Sequence, residues 1–352
     1  MQTGVVPVFS QTSSPELDQV LATLREQHIL PNYLSEAQRE LITQEKHIKT
    51  LESEPVIANI GGEEFQLKHV NIMTDLKNQR DEFFKALRLM KGKDWENLPR
   101  LLEGLDKQPK CVITKNYRNK RRVMNLATAA GRQDIILECV RRADDTGMTI
   151  TTPMEAHHAM RTMYSVALSS EFDVESTKKA LSWSEQLLDQ LEEEKHQSRD
   201  KQIKRDPRTR PELIGMPLDL AARIASSHPN DADIVGKVEA YAKRALATWD
   251  HLRRPEHLAI WDRTLSEEEV PKKMVAFKDQ YLAKTVPLLH GLQAAQEVLH
   301  GDPEFATQLK EAADELEGLV QSTYKEVVND PWSQEPDMGR EGCTLYEKFY
   351  AL

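Results

Sequence analysis

The fold is decided by residues 123–151, VMNLATAAGRQDIILECVRRADDTGMTIT. Apolar residues recur there at three- and four-residue spacings, as they do on one face of an amphipathic helix. Gly131 interrupts the first run, and Gly147 ends the second; glycine commonly closes a helix because it takes the left-handed conformation without strain. The stretch therefore predicts two antiparallel helices, Arg121–Ala130 and Asp134–Asp145, joined by a short turn.

The same pattern of paired helices continues on both sides of this hairpin. Turns of only a few residues separate the members of each pair, and such short connections force the helices to be antiparallel neighbours. Repeated helix hairpins are typical of an α-solenoid, in which each pair buries its apolar face against the next. We predict an all-α fold, an α-solenoid over residues 76–330, with these further pairs: Asp81–Met90 with Trp95–Leu105, Met154–Ser169 with Val174–Glu193, Pro217–Ser227 with Asp233–Leu252, and Pro271–Leu299 with Glu304–Val328.

The segments flanking the array have a different character. Residues 1–75 are predicted to be an N-terminal extension, with one helix over residues 14–27 and a second beginning at Ser35. Two adjacent glycines between short apolar runs indicate either a small β-hairpin within residues 55–70 or an irregular linker. Residues 331–352 form an acidic C-terminal tail, and its aromatic stretch TLYEKFYAL is suited to docking in a groove.

Residues 123–151 resemble the pentatricopeptide repeat family, whose unit is a helix, a turn similar to Ala-Ala-Gly-Arg, a second helix and a closing glycine. Gly131 and Gly147 occupy the turn and closing positions, and the resemblance covers about one repeat. It implies an RNA-binding helical-repeat protein of the mitochondrial matrix. The base-reading positions of that family fall on Arg122 and Thr152, which are not its usual residues. This departure argues against sequence-specific readout and leaves general phosphate contact or a protein-docking role.

The charge of the chain is unevenly distributed. A net charge of −10 and a pI near 5.7 are unlike a dedicated nucleic-acid binder. Residues 1–70 hold 10 acidic and 5 basic side chains, and residues 301–352 hold 12 and 4, so the ends carry −5 and −8 and the middle carries +3. A weakly basic middle between acidic ends is compatible with a local contact to a polyanion.

One basic cluster in that middle is a candidate RNA-binding surface. The stretch KNYRNKRR, residues 115–122, holds five cations around one aromatic ring, a composition suited to a phosphate backbone and one stacked base. The alternative is a solvated helix entry. With two cations of the following helix, the candidate RNA-binding residues are Tyr117, Arg118, Lys120, Arg121, Arg122, Arg141 and Arg142. A second cluster, Lys195–Arg210, predicts a solvated linker between helices.

Enzyme signatures are missing from the sequence. It contains no GxSxG, HExxH, CxxC or DxDxDG pattern, and its IGGEE stretch lacks the lysine of a phosphate-binding loop. His157 and His158 are adjacent on a predicted helix, where neighbours point about 100° apart and do not easily share a metal ion. Cys139 lies on the apolar side of its helix and is predicted to be a core residue. We predict no enzymatic activity, catalytic residue, metal site, cofactor or small-molecule substrate.

The cellular location follows from the resemblance rather than from a targeting signal. The three cysteines are scattered, which indicates a reducing compartment. No run of about 18 apolar residues predicts a membrane span. The first residues, MQTGVVPVFSQTSSPELDQ, look like neither a secretory signal nor a basic transit peptide.

Two functions remain open at this point. The first is a non-catalytic helical-repeat protein of mitochondrial gene expression that binds RNA, either rRNA or mRNA, or docks on proteins of the mitochondrial ribosome. The second is a protein–protein scaffold or assembly factor, whose groove of the tetratricopeptide type holds a partner helix or peptide without RNA contact. The Gly131–Gly147 unit with its cationic first helix favours the first function, which is our prediction. The acidic balance and the unusual base-reading positions are the reasons for keeping the second as the alternative.

Overall fold

The computed structural model describes residues 5–71, 78–107, 111–197, 206–255, 269–335 and 339–350. Within these ranges the chain forms fifteen α-helices and one two-stranded sheet. The prediction of an all-α helical-repeat fold is therefore confirmed. The chain divides into two compact units, Met1–Ile150 and Thr151–Leu352.

The first unit contains eight of the helices and the β-hairpin. In chain order they are α1 (Pro15–Thr23), α2 (Glu36–Thr43), α3 (Ile48–Ser53), β1 (Ile57–Ile60), β2 (Glu63–Gln66), α4 (Gln79–Leu89), α5 (Leu98–Asp106), α6 (Tyr117–Ala129), α7 (Gln133–Arg141) and α8 (Ala143–Thr146).

The N-terminal helix of this unit packs against the first predicted helix pair. Helix α1 continues as a π-helical turn, Leu24–Ile29, and both contact α4, while the turn also contacts α5. The π-helical continuation of α1 therefore contacts both helices of that predicted pair. Strands β1 and β2 pair antiparallel around Gly61 and Gly62, so the hairpin, and not the irregular linker, is the correct alternative for this segment.

The hairpin that decided the fold has the predicted turns. Gly131 and Gly147 both have a positive φ, 69° and 68°. A Cβ atom at Gly147 would overlap Oδ1 of Asp106 on α5, whereas nothing lies within 4 Å of one at Gly131. Helix α6 begins at Tyr117, earlier than predicted, because the Asn116 side chain accepts hydrogen bonds from the first backbone N–H groups of the helix.

The second unit contains seven helices: α9 (Pro153–Ser169), α10 (Val174–Glu192), α11 (Pro211–Ser227), α12 (Ala232–Ala247), α13 (Glu269–Val298), α14 (Pro303–Asn329) and α15 (Glu341–Tyr350). The predicted partners α9 and α10, α11 and α12, and α13 and α14 pack against one another. Helix α15 contains most of the aromatic stretch of the tail and packs on α13 and α14. None of the helices within the described ranges combines the length and apolar character needed to cross a membrane.

Helix α11 is the central element of this unit. It begins at Pro211, and not at Pro217 as predicted, because Pro211 suits the first turn and Pro217 removes only one internal hydrogen bond. Nearly every residue of α11 is buried, since the helix packs against α9, α10, α12 and α13. This burial on all sides offsets the cost of the internal proline.

Candidate nucleic-acid interface

The first turns of α6 divide their side chains between a buried face and a cationic surface. Asn119, Lys120, Val123, Met124 and Ala127 are buried. Arg118 and Arg122 are exposed, and Arg121 is partly exposed. Side chains three and four residues apart lie side by side on a helix, so these three arginines form one surface. We refer to Arg118, Arg121 and Arg122 as the arginine face.

No carboxylate within the described ranges pairs with the arginine face. Arg122 instead lies over the ring of Phe84, with 4.2 Å between its guanidinium carbon and the ring centroid. Like charges four residues apart destabilise a helix by about 0.2–0.5 kcal/mol, and cations near a helix N-terminus also oppose the helix dipole. The arginine face therefore reduces the stability of this helix when no anion is bound.

Lys120 has a different role from its cationic neighbours. It is only 4 % exposed, and its ammonium group donates a hydrogen bond to the Thr149 carbonyl oxygen over 2.6 Å. This contact ties α6 to the segment that follows Gly147. The ammonium group therefore faces the interior, where a phosphate does not reach it in this conformation. Of the other predicted residues in this stretch, Tyr117 is half-buried.

The two predicted cations on the next helix differ from each other. Arg141 is exposed at the end of α7. Arg142 is half-buried, and its guanidinium forms an ion pair with Glu103 on α5, with 2.8 Å between Nη2 and Oε2. A second carboxylate, that of Asp145, lies 3.6 Å away. The charge of Arg142 is thus largely neutralised within the chain, through a carboxylate that is distant in sequence.

The second basic cluster, Lys195–Arg210, does not behave as a solvated linker where it is described; residues 198–205 lie outside the described residues. Arg208 pairs with Asp206 and Glu192, and these hydrogen bonds raise the pKa of Arg208. Arg210 is buried and donates to the His251 carbonyl oxygen over 2.7 Å. The prediction of a solvated stretch was wrong for these two arginines, because Asp206 within the cluster, Glu192 and the His251 carbonyl oxygen accept hydrogen bonds from them.

A buried polar network in the second unit was not foreseen from the sequence. The Asp219 side chain on α11 has no exposed surface. Its carboxylate accepts a hydrogen bond from the Tyr164 hydroxyl, lies 2.5 Å from Nδ1 of His290 and accepts from Nε of Arg223 over 3.0 Å. Burial favours the neutral acid, but the contacts with His290, Arg223 and Tyr164 outweigh it and lower the pKa of Asp219.

The network is organised for stability rather than for chemistry. The Arg223 guanidinium lies over the ring of Phe172, 3.8 Å from its centroid, and 5.0 Å from that of Phe349 on α15. The charged groups of the Asp219 network are therefore in contact with one another and with aromatic rings. The spacing of Asp219 and Arg223, four residues apart on one helix, was the only signal in the sequence, because the remaining members come from distant segments.

His157 and Cys139, the two side chains considered from the sequence for metal or thiol chemistry, lie in the core. His157 is buried, and burial with neighbouring cations lowers the pKa of its imidazole well below the usual value. Cys139 is buried as predicted, and burial raises the pKa of its thiol, which disfavours the reactive thiolate. Within the described ranges no group of three or more His, Cys, Asp or Glu side chains is arranged to hold a metal ion.

Comparisons with known proteins give matches over nearly the whole chain. The family model described as Mrp13, mitochondrial ribosomal protein mS27, matches residues 1–348. The small ribosomal subunit protein mS27 of Neurospora crassa is 29 % identical over 361 aligned residues, which cover 96 % of this chain and 87 % of that protein. The matching family model is not a pentatricopeptide model, so the resemblance noted in residues 123–151 is not confirmed.

Proposed function

This chain belongs to the family of mitochondrial ribosomal protein mS27, and from that membership we propose that it is a structural component of the small ribosomal subunit that binds rRNA phosphates through the arginine face of α6. The family is one of ribosomal proteins, which are non-enzymatic components, so the predictions of no enzymatic activity and of a mitochondrial, ribosome-associated protein are confirmed at that level. Assignment to the small subunit draws on the name of the Neurospora crassa relative. The matrix location, the rRNA contact and the residues that make it belong to the proposal.

The observation that supports the rRNA contact is the lack of carboxylate partners for Arg118, Arg121 and Arg122 within the described ranges. Arginine presents a planar fork of donors that matches two phosphate oxygens, and its charge persists at every physiological pH. A phosphate backbone supplies closely spaced anions and releases condensed counterions when it is bound. A bound phosphate backbone therefore relieves the repulsion between the three arginines, and this relief contributes to the affinity of the arginine face for RNA.

The contact is proposed to be to the backbone and not to base edges. Thr152, one of the positions that read bases in pentatricopeptide proteins, caps α9: its hydroxyl accepts from the Glu155 N–H over 3.3 Å, and the Glu155 carboxylate accepts from the Thr152 N–H over 3.2 Å. Arg122, the other such position, rests on Phe84. The Thr152 side chain is thus used within the chain, and Arg122 is an exposed cation stacked on a ring and not a small polar base reader. This supports phosphate contact without sequence-specific readout and favours a fixed rRNA segment over changing mRNA sequences.

The test is a charge reversal of the arginine face in the full chain. Arg118→Glu, Arg121→Glu and Arg122→Glu are combined in one variant, and far-UV circular dichroism verifies that helicity is retained. The matched control reverses three cations on or beside α2 and α3 that have no ion pair within the described ranges: Arg39→Glu, Lys46→Glu and Lys49→Glu. Both variants change the net charge equally.

Association with small subunits is measured by sedimentation of mitochondrial lysates through sucrose gradients. We expect the arginine-face variant to move from the small-subunit fractions to the top of the gradient, while the control variant stays with the subunit. Equal comigration of the two variants would contradict the assignment of the arginine face. Equal loss would mean that overall charge, and not this surface, determines the association.

A further inference from the structure

Strand β2 has a free backbone edge. The rung next to Gln66 is hydrogen bonded, because the Leu67 N–H donates to the Val56 carbonyl oxygen over 2.8 Å. Hydrogen-bonded and non-hydrogen-bonded pairs alternate along an antiparallel ladder. Gln66 and Glu64 therefore direct their N–H and C=O groups away from β1. Within the described ranges no other strand or side chain bonds to these groups.

A groove of about 350 Å³ follows this edge. One wall is the segment from Glu63 to Val70, and no residue of β1 contributes. The other wall is formed by Arg25, Glu26, Gln27, Leu30 and Ile42. The apolar floor includes Leu30, Ile42 and Phe65, all of which are buried. Outward backbone groups beside an apolar floor are what an extended peptide needs in order to add a strand to a sheet.

Two ion pairs cross the groove. Arg25 and Glu63 form a bidentate pair of 2.6 and 2.9 Å near the hairpin turn, and the hydrogen bond from Arg25 lowers the pKa of Glu63. Glu26 and Lys68 approach to 3.6 Å, with side chains that are 61 % and 69 % exposed. Exposed pairs of this kind contribute little to stability. An incoming segment can therefore displace the Glu26–Lys68 pair while the Arg25–Glu63 pair stays formed.

The charge of this region selects the kind of partner. Residues 1–70 carry a net charge of −5, and the groove is lined by Glu26, Glu63 and Glu64 against Arg25 and Lys68. Arg25 pairs with Glu63 and Lys68 with Glu26, so Glu64 is the lining carboxylate that has no ion pair in the described part of the chain. Together with the acidic balance of residues 1–70, it favours cations over a phosphate backbone. We infer that the free edge of β2 binds an extended lysine- and arginine-rich segment of a neighbouring ribosomal protein as a third strand. The identity of the neighbour as a ribosomal protein rests on the proposed function; the strand addition itself does not.

The binding mode follows from the strand geometry. Side chains alternate between the two faces of a strand, so alternate apolar side chains of the added segment pack on Leu30 and Ile42. The backbone of the segment bonds to Glu64 and Gln66. Its cationic side chains lie beside the carboxylates of Glu64 and Glu26.

The test uses the full chain and a fluorescent peptide of alternating lysine and valine. The peptide is about ten residues long, so that it is longer than strand β2. A peptide of alternating glutamate and valine and a single-stranded oligouridylate serve as the acidic and RNA probes. Gln66→Pro removes an outward N–H without breaking the ladder to β1. Asn59→Pro is the matched control, because Asn59 opposes Glu64 and directs its own N–H to the opposite edge.

The expected result is that the lysine–valine peptide binds the unmodified chain and binds Gln66→Pro about tenfold more weakly, the loss expected for one removed hydrogen bond. The Asn59→Pro chain is expected to bind as the unmodified chain does. Equal affinities of both proline variants, or stronger binding of the acidic peptide or the RNA, would overturn the inference.

A second variant guards against local unfolding caused by proline. Glu64→Lys leaves the backbone intact and is expected to weaken binding of the basic peptide severalfold, with the hairpin preserved; an unchanged affinity would overturn the role of charge. The arginine-face variant separates the two proposals, because we expect it to bind the peptide fully while losing subunit association. A chain that joins the subunit but binds no peptide would overturn only the inference about β2.

Discussion

The buried ammonium group of Lys120 donates a hydrogen bond of 2.6 Å to the carbonyl oxygen of Thr149. The two residues lie 29 positions apart in sequence, at opposite ends of the hairpin formed by α6, α7 and α8. One cation of the basic cluster thus closes the hairpin, whereas the arginine face stays at the surface, where we propose that it binds a phosphate backbone. The two roles alternate within one helical stretch.

Replacement of Lys120 is expected to lower stability without removing a surface contact. Lys120→Met leaves the Thr149 carbonyl oxygen without this donor, at a cost of about 1–3 kcal/mol in the free energy of unfolding. Arg118→Met is the control, because Arg118 is exposed on the same helix, and we expect a change of no more than about 0.5 kcal/mol. Urea unfolding followed by circular dichroism measures both. Equal effects would contradict the structural role of Lys120.

The two glycines of the hairpin provide a matched pair of substitutions. Gly131→Ala and Gly147→Ala both place a side chain at a positive φ, which costs about 1–2 kcal/mol. Only the alanine at Gly147 also meets a neighbouring atom, Oδ1 of Asp106. We therefore expect thermal unfolding to show the larger destabilisation for Gly147→Ala. A larger destabilisation for Gly131→Ala would contradict the packing of α5 against this turn.

The Asp219 network predicts a specific dependence on acid. The pKa of Asp219 is lower in the folded chain than in the unfolded chain, so the stabilisation is complete above the unfolded value near 3.8 and disappears as the pH falls through the folded value. Asp219→Asn is expected to cost about 3–5 kcal/mol at neutral pH, because Arg223 loses its buried partner, and to flatten the acid dependence.

The control for that measurement is Asp314→Asn, at an exposed position on α14 of the same unit. We expect this variant to keep the acid profile of the unmodified chain in denaturant unfolding between about pH 5 and pH 2, the range in which a carboxyl with a lowered pKa takes up its proton. An Asp219→Asn chain with an unaltered acid profile would show that the network does not carry the predicted linkage.

The proposed rRNA contact predicts a salt dependence of affinity that changes when the arginine face is altered. In the variant Arg118→Gln, Arg121→Gln, Arg122→Gln, the logarithmic slope of affinity against salt is expected to decrease by about 0.7–0.9 for each phosphate that an arginine no longer neutralises. Fluorescence titrations of small-subunit rRNA at several salt concentrations measure it. An unchanged slope with reduced affinity would indicate that the arginines support the fold and do not bind phosphate.

Local sequence patterns predicted the elements but not their exact limits. The short turns gave the correct helix partners in the second unit, and Gly61 and Gly62 marked the β-hairpin. The start of α11 was misplaced because Pro217 was interpreted as a helix start, whereas burial on all sides keeps it inside the helix. Such burial depends on packing partners that a local pattern does not contain.

The sequence predicted which residues make up the candidate site, but not which of them form contacts within the chain. The sequence placed the cations of residues 115–122 together, but whether each is used internally depends on acceptors far along the chain. Lys120 donates a hydrogen bond to the Thr149 carbonyl oxygen, and Arg142 forms an ion pair with Glu103. Neither acceptor has a sequence signal, because a carbonyl oxygen occurs in every residue and Glu103 belongs to a different helix hairpin.

The central claim is that the chain is a structural component of the small ribosomal subunit. The most direct test is to express the unmodified chain with an epitope tag in the organism it comes from and to sediment a mitochondrial lysate through sucrose gradients, once at high magnesium and once in EDTA. We predict comigration with the small subunit in both conditions, since EDTA separates the subunits without removing a structural component of one of them. A chain that remains at the top of both gradients, or that follows only the large subunit, would contradict the proposed function.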